Sequence, residues 1–134
     1  MKRYRHRMAS HAFRLAVEAR DLDAMRELLA DNVVFNSPAA HKPFEGRQVV
    51  AQVLAFAAAT FEDFRYVDEV ADGDRVALIF RARVGDRDLQ GLDYLHTNAD
   101  GLIDELTVMI RPMSGLVALG EAMSVKVAAA GLKG

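Results

Sequence analysis

The chain has 134 residues, 51% of them apolar, and a formal net charge of −2. One domain of this length buries about two-thirds of its unfolded surface and folds without staples, and its charge excludes a strong pull toward nucleic acid or an anionic membrane. Cysteine is absent, which excludes a disulfide framework, a Cys-based metal site and a Cys nucleophile.

Residues 1–9 are basic, beginning Met1-Lys-Arg-Tyr-Arg-His-Arg-Met8, without the apolar run of a signal peptide. They read as a solvated tail. No stretch approaches the ~20 apolar residues of a membrane span, so a cytoplasmic protein without membrane contact is expected. Ser10 is placed to cap a first helix carrying Phe13, Ala16, Val17 and Ala19. Asp21 or Asp23 can cap a second, with Met25, Leu28 and Leu29. Val33-Val34-Phe35 reads as a short strand, and residues 36–46, with Pro38 and Pro43, as a loop. The stripe Val50, Val53, Leu54 and Ala57 predicts a third helix over about 47–59. Four strands follow at about 63–71, 75–84, 87–97 and 102–111, joined in part by Asp72-Gly73, Gly85-Asp86 and Asn98-Ala-Asp-Gly101, which are turn sequences. Ser114 can cap a last helix with Leu116, Val117, Leu119 and Met123. The domain proper spans 10–124, with 125–134 as a C-terminal tail, frayed from about 128.

Helices before a run of strands predict an α+β fold, with N-terminal helices packed on one face of a curved, mostly antiparallel sheet. Alternation divides the strands. Val76, Leu78, Phe80, Ala82 and Val84 share one face, as do Leu106, Val108 and Ile110; these should meet the helices. The opposite face carries Ile79, Arg81, Arg83, Leu92, Tyr94, Ile103, Glu105, Thr107, Met109 and Arg111. Its apolar members predict a homodimer through the outer sheet face.

On the third long strand, Leu89, Gly91, Asp93 and Leu95 share the inner face. Asp93 is the one charged member, and an unpaired buried carboxylate costs several kcal/mol, roughly. No Lys or Arg shares that face on the neighbouring strands, so desolvation should raise its pKa and leave a neutral carboxyl able to donate to a ligand carbonyl. The competing reading is an Asp bonded to backbone or to a His for structure alone. His41, in the loop, is of a residue type that serves as a general base, or is simply solvated. His96 and Glu105 read as outer-face residues, and Arg111 as a strand-end residue before Pro112. The four His show no metal-ligand spacing, and no glycine-rich phosphate loop follows a strand, so neither metal nor cofactor is expected.

This order resembles the nuclear transport factor 2-like superfamily, the cone fold of ketosteroid isomerase, SnoaL-like polyketide cyclases and limonene epoxide hydrolase. The resemblance rests on Ala30-Asp-Asn-Val-Val-Phe-Asn-Ser-Pro38, on Pro43-Phe-Glu-Gly-Arg47 opening the third helix, and on Asp93 eight residues before Gly101. It covers about residues 10–124 and indicates fold more than activity. Against the ketosteroid isomerase pattern, the catalytic Asp before Pro corresponds to Ser37, and the oxyanion-holding Tyr of the first helix to Phe13. Asp93 alone is kept. A Ser hydroxyl is too weak a base to replace a carboxylate, so steroid isomerisation is not expected. Nor is the Asp–Arg–Asp water activation of the epoxide hydrolase, because Arg81, Arg83 and Arg111 face outward.

The resemblance leaves three readings. In the first, the chain is a SnoaL-like isomerase, cyclase or hydrolase acting on a small apolar carbonyl compound, with Asp93 and His41 as catalytic groups. In the second it is a non-catalytic carrier anchored by Asp93. In the third it is a homodimeric interaction module whose cavity is filled by its own side chains. The expected lining is Phe13, Val17, Phe35, Ser37, Pro38, Leu54, Phe80, Ala82, Leu89, Gly91, Leu95, Leu106, Val108 and Ile110 around Asp93.

Overall fold

A computed structural model of the chain describes residues 10–132; the basic segment 1–9 lies outside the described residues. Helix α1 (Ala12–Glu18) is capped by His11 rather than Ser10, the His11 Nδ1 accepting the Phe13 N–H at 3.0 Å. Asp21 caps α2 (Leu22–Glu27) by accepting the Ala24 N–H at 3.0 Å. Leu29 opens strand β1 (Leu29–Asn36) instead of closing that helix, and is wholly buried there. In the following loop, β2 (Phe44–Glu45) pairs back on β1 and stacks Phe44 against Phe35.

Helix α3 (Arg47–Thr60) is tied to β1 at its first residue: Arg47 Nε donates to the Leu29 carbonyl at 2.9 Å, and its guanidinium pairs with Asp31 at 3.1 Å. The Pro43–Arg47 motif thus fixes the height of the helix over the sheet. Strands β3 (Glu62–Asp72), β4 (Arg75–Val84), β5 (Arg87–Thr97) and β6 (Ile103–Arg111) form the meander, and α4 (Met113–Ala129) closes the described chain. The six-stranded sheet has the order β2-β1-β6-β5-β4-β3, antiparallel except where β1 runs parallel to β6. Register breaks in β3 at 62–65 and 66–68, and between His96 and Thr97, bend the sheet. The fold is α+β, with the helices on the concave face.

Three further expectations fail locally. Ile103 is 1% exposed, not outward, because the register slips by a residue at His96/Thr97 and reverses the alternation. Helix α4 runs on to Ala129, through the expected start of the frayed tail. Met123 and Val127 pack on the core, and Lys126 donates to Thr60 Oγ1 at 3.0 Å, which holds those last turns down. Ser114 lies inside this helix; Pro112 takes the cap position. Among the described residues no helix is long and apolar enough to cross a membrane.

Candidate functional site

The concave sheet face with α1, α3 and α4 encloses a cavity of about 500 Å³, within the usual small-molecule range of roughly 300–1,000 Å³. Asp93 lies in its wall at 8% exposure, the one buried charged side chain among the described residues. The ladder sets it between Leu78 of β4 and Val108 of β6, so no neighbour in its row offsets the charge. Its partner arrives from two strands away. Tyr66 of β3 reaches across β4 and donates its hydroxyl to Asp93 Oδ2 at 2.6 Å.

Burial pushes the Asp93 carboxyl up, and the Tyr66 hydrogen bond pulls it partly back, to about 6. At pH 7 the ionised form therefore predominates. This modifies the expectation of a neutral donor: the free site offers mainly an acceptor. Burial and the adjacent carboxylate drive the Tyr66 phenol far above its ordinary value, so it remains a donor.

An aromatic wall stands beside this pair. Phe64 stacks on Phe80 at 4.8 Å, and Phe61 and Tyr66 meet Phe80 edge-on at 5.6 and 6.4 Å. The Phe80 ring lies over Gly91, where a Cβ would come within 2.4 Å of Phe80 Cζ and 2.8 Å of the Met109 carbonyl oxygen. The glycine makes room for the ring that shapes the pocket.

Of the expected lining, Phe13, Val17, Phe35, Ser37, Pro38, Leu54, Phe80, Leu106, Val108 and Ile110 border the cavity with Asp93. Ala82, Leu89, Gly91 and Leu95 do not, although all four are buried. Gly91 is covered by Phe80, and Leu89 lies against Gly115 of α4, where a Cβ would sit 2.8 Å from Leu89 Cβ. Leu95 is fully enclosed in the core, and Ala82 is 4% exposed there. His41 is exposed in the β1–β2 loop and does not border the cavity, so the structure does not bring it to Asp93. The Ser37 hydroxyl accepts the Ala39 N–H at 3.2 Å, a bond within its own loop.

Tyr66, Phe61, Phe64 and the α4 residues Leu119, Met123 and Val127 border the cavity without having been foreseen. The spacing 61, 64, 66 breaks strand alternation because β3 is irregular at 62–65, which hid the aromatic set. On the outer face, His96 lies between Asp104 at 2.5 Å and Asp74 at 2.9 Å; these hydrogen bonds raise its pKa. Glu105 pairs with Arg75 at 3.2 Å, and Arg111 is exposed. Among the described residues no group of His, Cys, Asp and Glu is arranged to hold a metal ion.

Comparison with known proteins accords with this architecture. The SnoaL-like domain pattern matches residues 10–106. A crystal structure of a steroid delta-isomerase from Pseudomonas aeruginosa is 46% identical, with 85% of each chain covered and a TM-score of 0.81. An uncharacterised bacterial protein with a cystatin-like fold from Silicibacter pomeroyi is 34% identical, with 87% of this chain and 82% of that one covered, at a TM-score of 0.83. An NTF2-like protein of unknown function from Mesorhizobium loti shares the fold at 22% identity and a TM-score of 0.66, covering 75% of this chain and 85% of its own. No curated protein matches the chain. The chain belongs to the SnoaL-like domain family, within the nuclear transport factor 2-like superfamily.

Proposed function

We propose that the cavity binds a small, mostly apolar carbonyl compound and that Asp93 moves a proton at the carbon beside that carbonyl. The observation that carries this reading is the Tyr66–Asp93 pair in an otherwise apolar cavity. A carboxylate near pH 6 is tuned to exchange protons at neutral pH. Tyr66 occupies Oδ2, which leaves Oδ1 for the substrate. In the forward step Oδ1 takes the α-proton and the C–H electron pair moves into the enolate; Asp93 is then neutral, and Tyr66, still protonated, turns its single O–H from Oδ2 to the enolate oxygen.

The relative from Pseudomonas aeruginosa is named a steroid delta-isomerase. An isomerase-type role for this chain fits that likeness. The steroid reaction itself does not fit as well, because Ser37 stands where a second carboxylate would act and is bonded to its own loop.

A straight-chain ketone incubated with the protein in D₂O tests the reading. Deuterium should enter the α-position, faster as the pH rises through about 6, and Asp93→Asn should abolish exchange while retaining binding. Binding without exchange in the native protein would leave a carrier; absence of binding by any ketone would overturn both.

We also infer that a second copy of the chain covers the outer sheet face. Ile79, Leu92 and Met109 form one cross-strand row there, and Ala77, Tyr94 and Thr107 the next. Tyr94 is 37% and Met109 55% exposed in the single chain. The row beyond the first carries Arg81, Gln90 and Arg111; the row beyond the second carries Arg75, His96 and Glu105, with Asp74 and Asp104 on the His96 ring. Basic and acidic ends thus flank an apolar centre.

A further inference from the structure

Where lining residues reach solvent, they mark the mouth of the cavity: among them Glu18 at the end of α1, Arg20 beyond it, Ala59 of α3, Arg65 of β3 and Ser124 of α4. Helix α1 runs opposite to β3. The His11 N–H donates to Glu69 at 2.9 Å, and Arg14 pairs with Glu69 at 3.1 Å while covering the Tyr66 ring. Arg20, just past the end of α1, and Arg65 of β3 both border the cavity.

The carboxylates of this region are already engaged. Glu18 pairs with Arg14 at 3.1 Å, and Glu62 and Asp63 pair with Arg83 at 3.2 and 2.9 Å. Among the described residues Arg20 and Arg65 have no carboxylate partner; Arg65 donates to the Asp63 backbone carbonyl at 2.9 Å. Two cations with uncommitted charge, Arg20 and Arg65, therefore border the entrance to an apolar cavity, in a chain whose net charge is −2.

We infer that the natural ligand is an amphipathic anion: an apolar body whose α-carbon meets Asp93 and whose carbonyl meets Tyr66, with a carboxylate that stays at the mouth beside Arg20 and Arg65. This rests on the carbonyl-binding reading above and adds the ligand class. The orientation follows from electrostatics. A ligand carboxylate driven inward would lose its hydration and face ionised Asp93; at the mouth it keeps water and gains cations. Arginine suits such a head group because its fork matches a carboxylate.

The test uses straight-chain oxo acids of rising length and their methyl esters, titrated calorimetrically at low salt. Acid and ester share carbonyl and chain and differ in charge. The acid should bind about tenfold more tightly than its ester, since exposed ion pairs are individually weak but here act together, and the gap should shrink in high salt. In the double variant Arg20→Ala/Arg65→Ala the preference for the acid over its own ester should fall to about twofold or less. Asp93→Leu should weaken acid and ester alike. Equal binding of acid and ester by the native protein, or a preference that survives the double variant, overturns the anionic-ligand inference and leaves carbonyl binding standing. If neither acid nor ester binds, the carbonyl reading falls and takes this inference with it.

Discussion

Tyr66 donates a 2.6 Å hydrogen bond to Asp93 although their strands are not neighbours; β4 lies between them. The pair exists because the sheet curls and because the β4 side chains beneath it, Leu78 and Phe80, are almost completely buried and fixed. Its chemistry is thus coupled to the curvature of the sheet.

The first consequence concerns stability against pH. Burial lifts Asp93 from 3.8 to about 6, so between these values the folded state holds a proton that the unfolded chain has released. The native state has its full advantage from this group below 3.8 and loses it as the pH rises through about 6. Asp93→Asn removes the buried charge. Urea unfolding should show the variant more stable than the native protein near pH 7, by up to about 3 kcal/mol, and no more stable near pH 4. A variant equally destabilised at both pH values would mean that Asp93 is held by partners Asn cannot replace.

Tyr66→Phe isolates the other half of the pair. The phenol hydrogen bond is what lowers Asp93 against burial, so its loss should raise the carboxyl above about 6. Carbon NMR of a labelled Asp93 carboxyl would read the change directly. The cost in stability near pH 7 should be about 1.5–3 kcal/mol, that of a hydrogen bond to a charged group. An unmoved titration would show that Tyr66 contributes packing alone.

Why Asp93 was legible in the sequence and Tyr66 was not is a matter of period. Strand β5 keeps strict alternation through Leu89, Gly91, Asp93 and Leu95, all buried, so a carboxyl among apolar residues stood out. Strand β3 has register breaks on both sides of Tyr66, and no two-residue rule assigns its faces. The same failure, on a smaller scale, misplaced Ile103. Helix α4 was expected from the sequence, but its place in the cavity wall was not: it is apolar nearly all round, with Met113, Val117 and Val125 exposed and Leu119 buried, so no stripe announced which side closes the cavity. His41 stood out only by residue type, and the loop fold turns it to solvent.

Gly91 offers a test of cavity shape. A methyl group there meets Phe80 Cζ at 2.4 Å and the Met109 carbonyl at 2.8 Å; the backbone cannot yield, so the ring must swing toward the cavity. Gly91→Ala should cost about 1–3 kcal/mol, as overpacking does, and should weaken binding of bulky ketones more than slender ones. Adding Phe80→Leu should recover most of the stability. A crystal structure of the single variant with Phe80 unmoved would contradict this account.

The outer face predicts a specific dimer geometry. A two-fold axis lying in the interface and running along the strands would set Arg81 and Arg111 of one copy over the same row of the other. An axis across the strands sets them over the row of His96 and Glu105, where Asp74 and Asp104 add negative charge. Like charges brought together cost free energy and opposite charges steer association, so the second arrangement is favoured, with Tyr94, Leu92 and Met109 near its centre. Sedimentation should give a dimer at micromolar concentration, with about 800 Å² buried per partner. Tyr94→Ala should weaken it by removing apolar area at the centre. The double change Arg81→Glu/Arg111→Glu should weaken it more steeply, at least about tenfold, because two attractive contacts become repulsive on each side of the axis. High salt should narrow the difference between native and variant proteins. A double variant that dimerises as tightly as the native chain would place the axis along the strands or move the interface off this face, and a native monomer would remove the interface altogether.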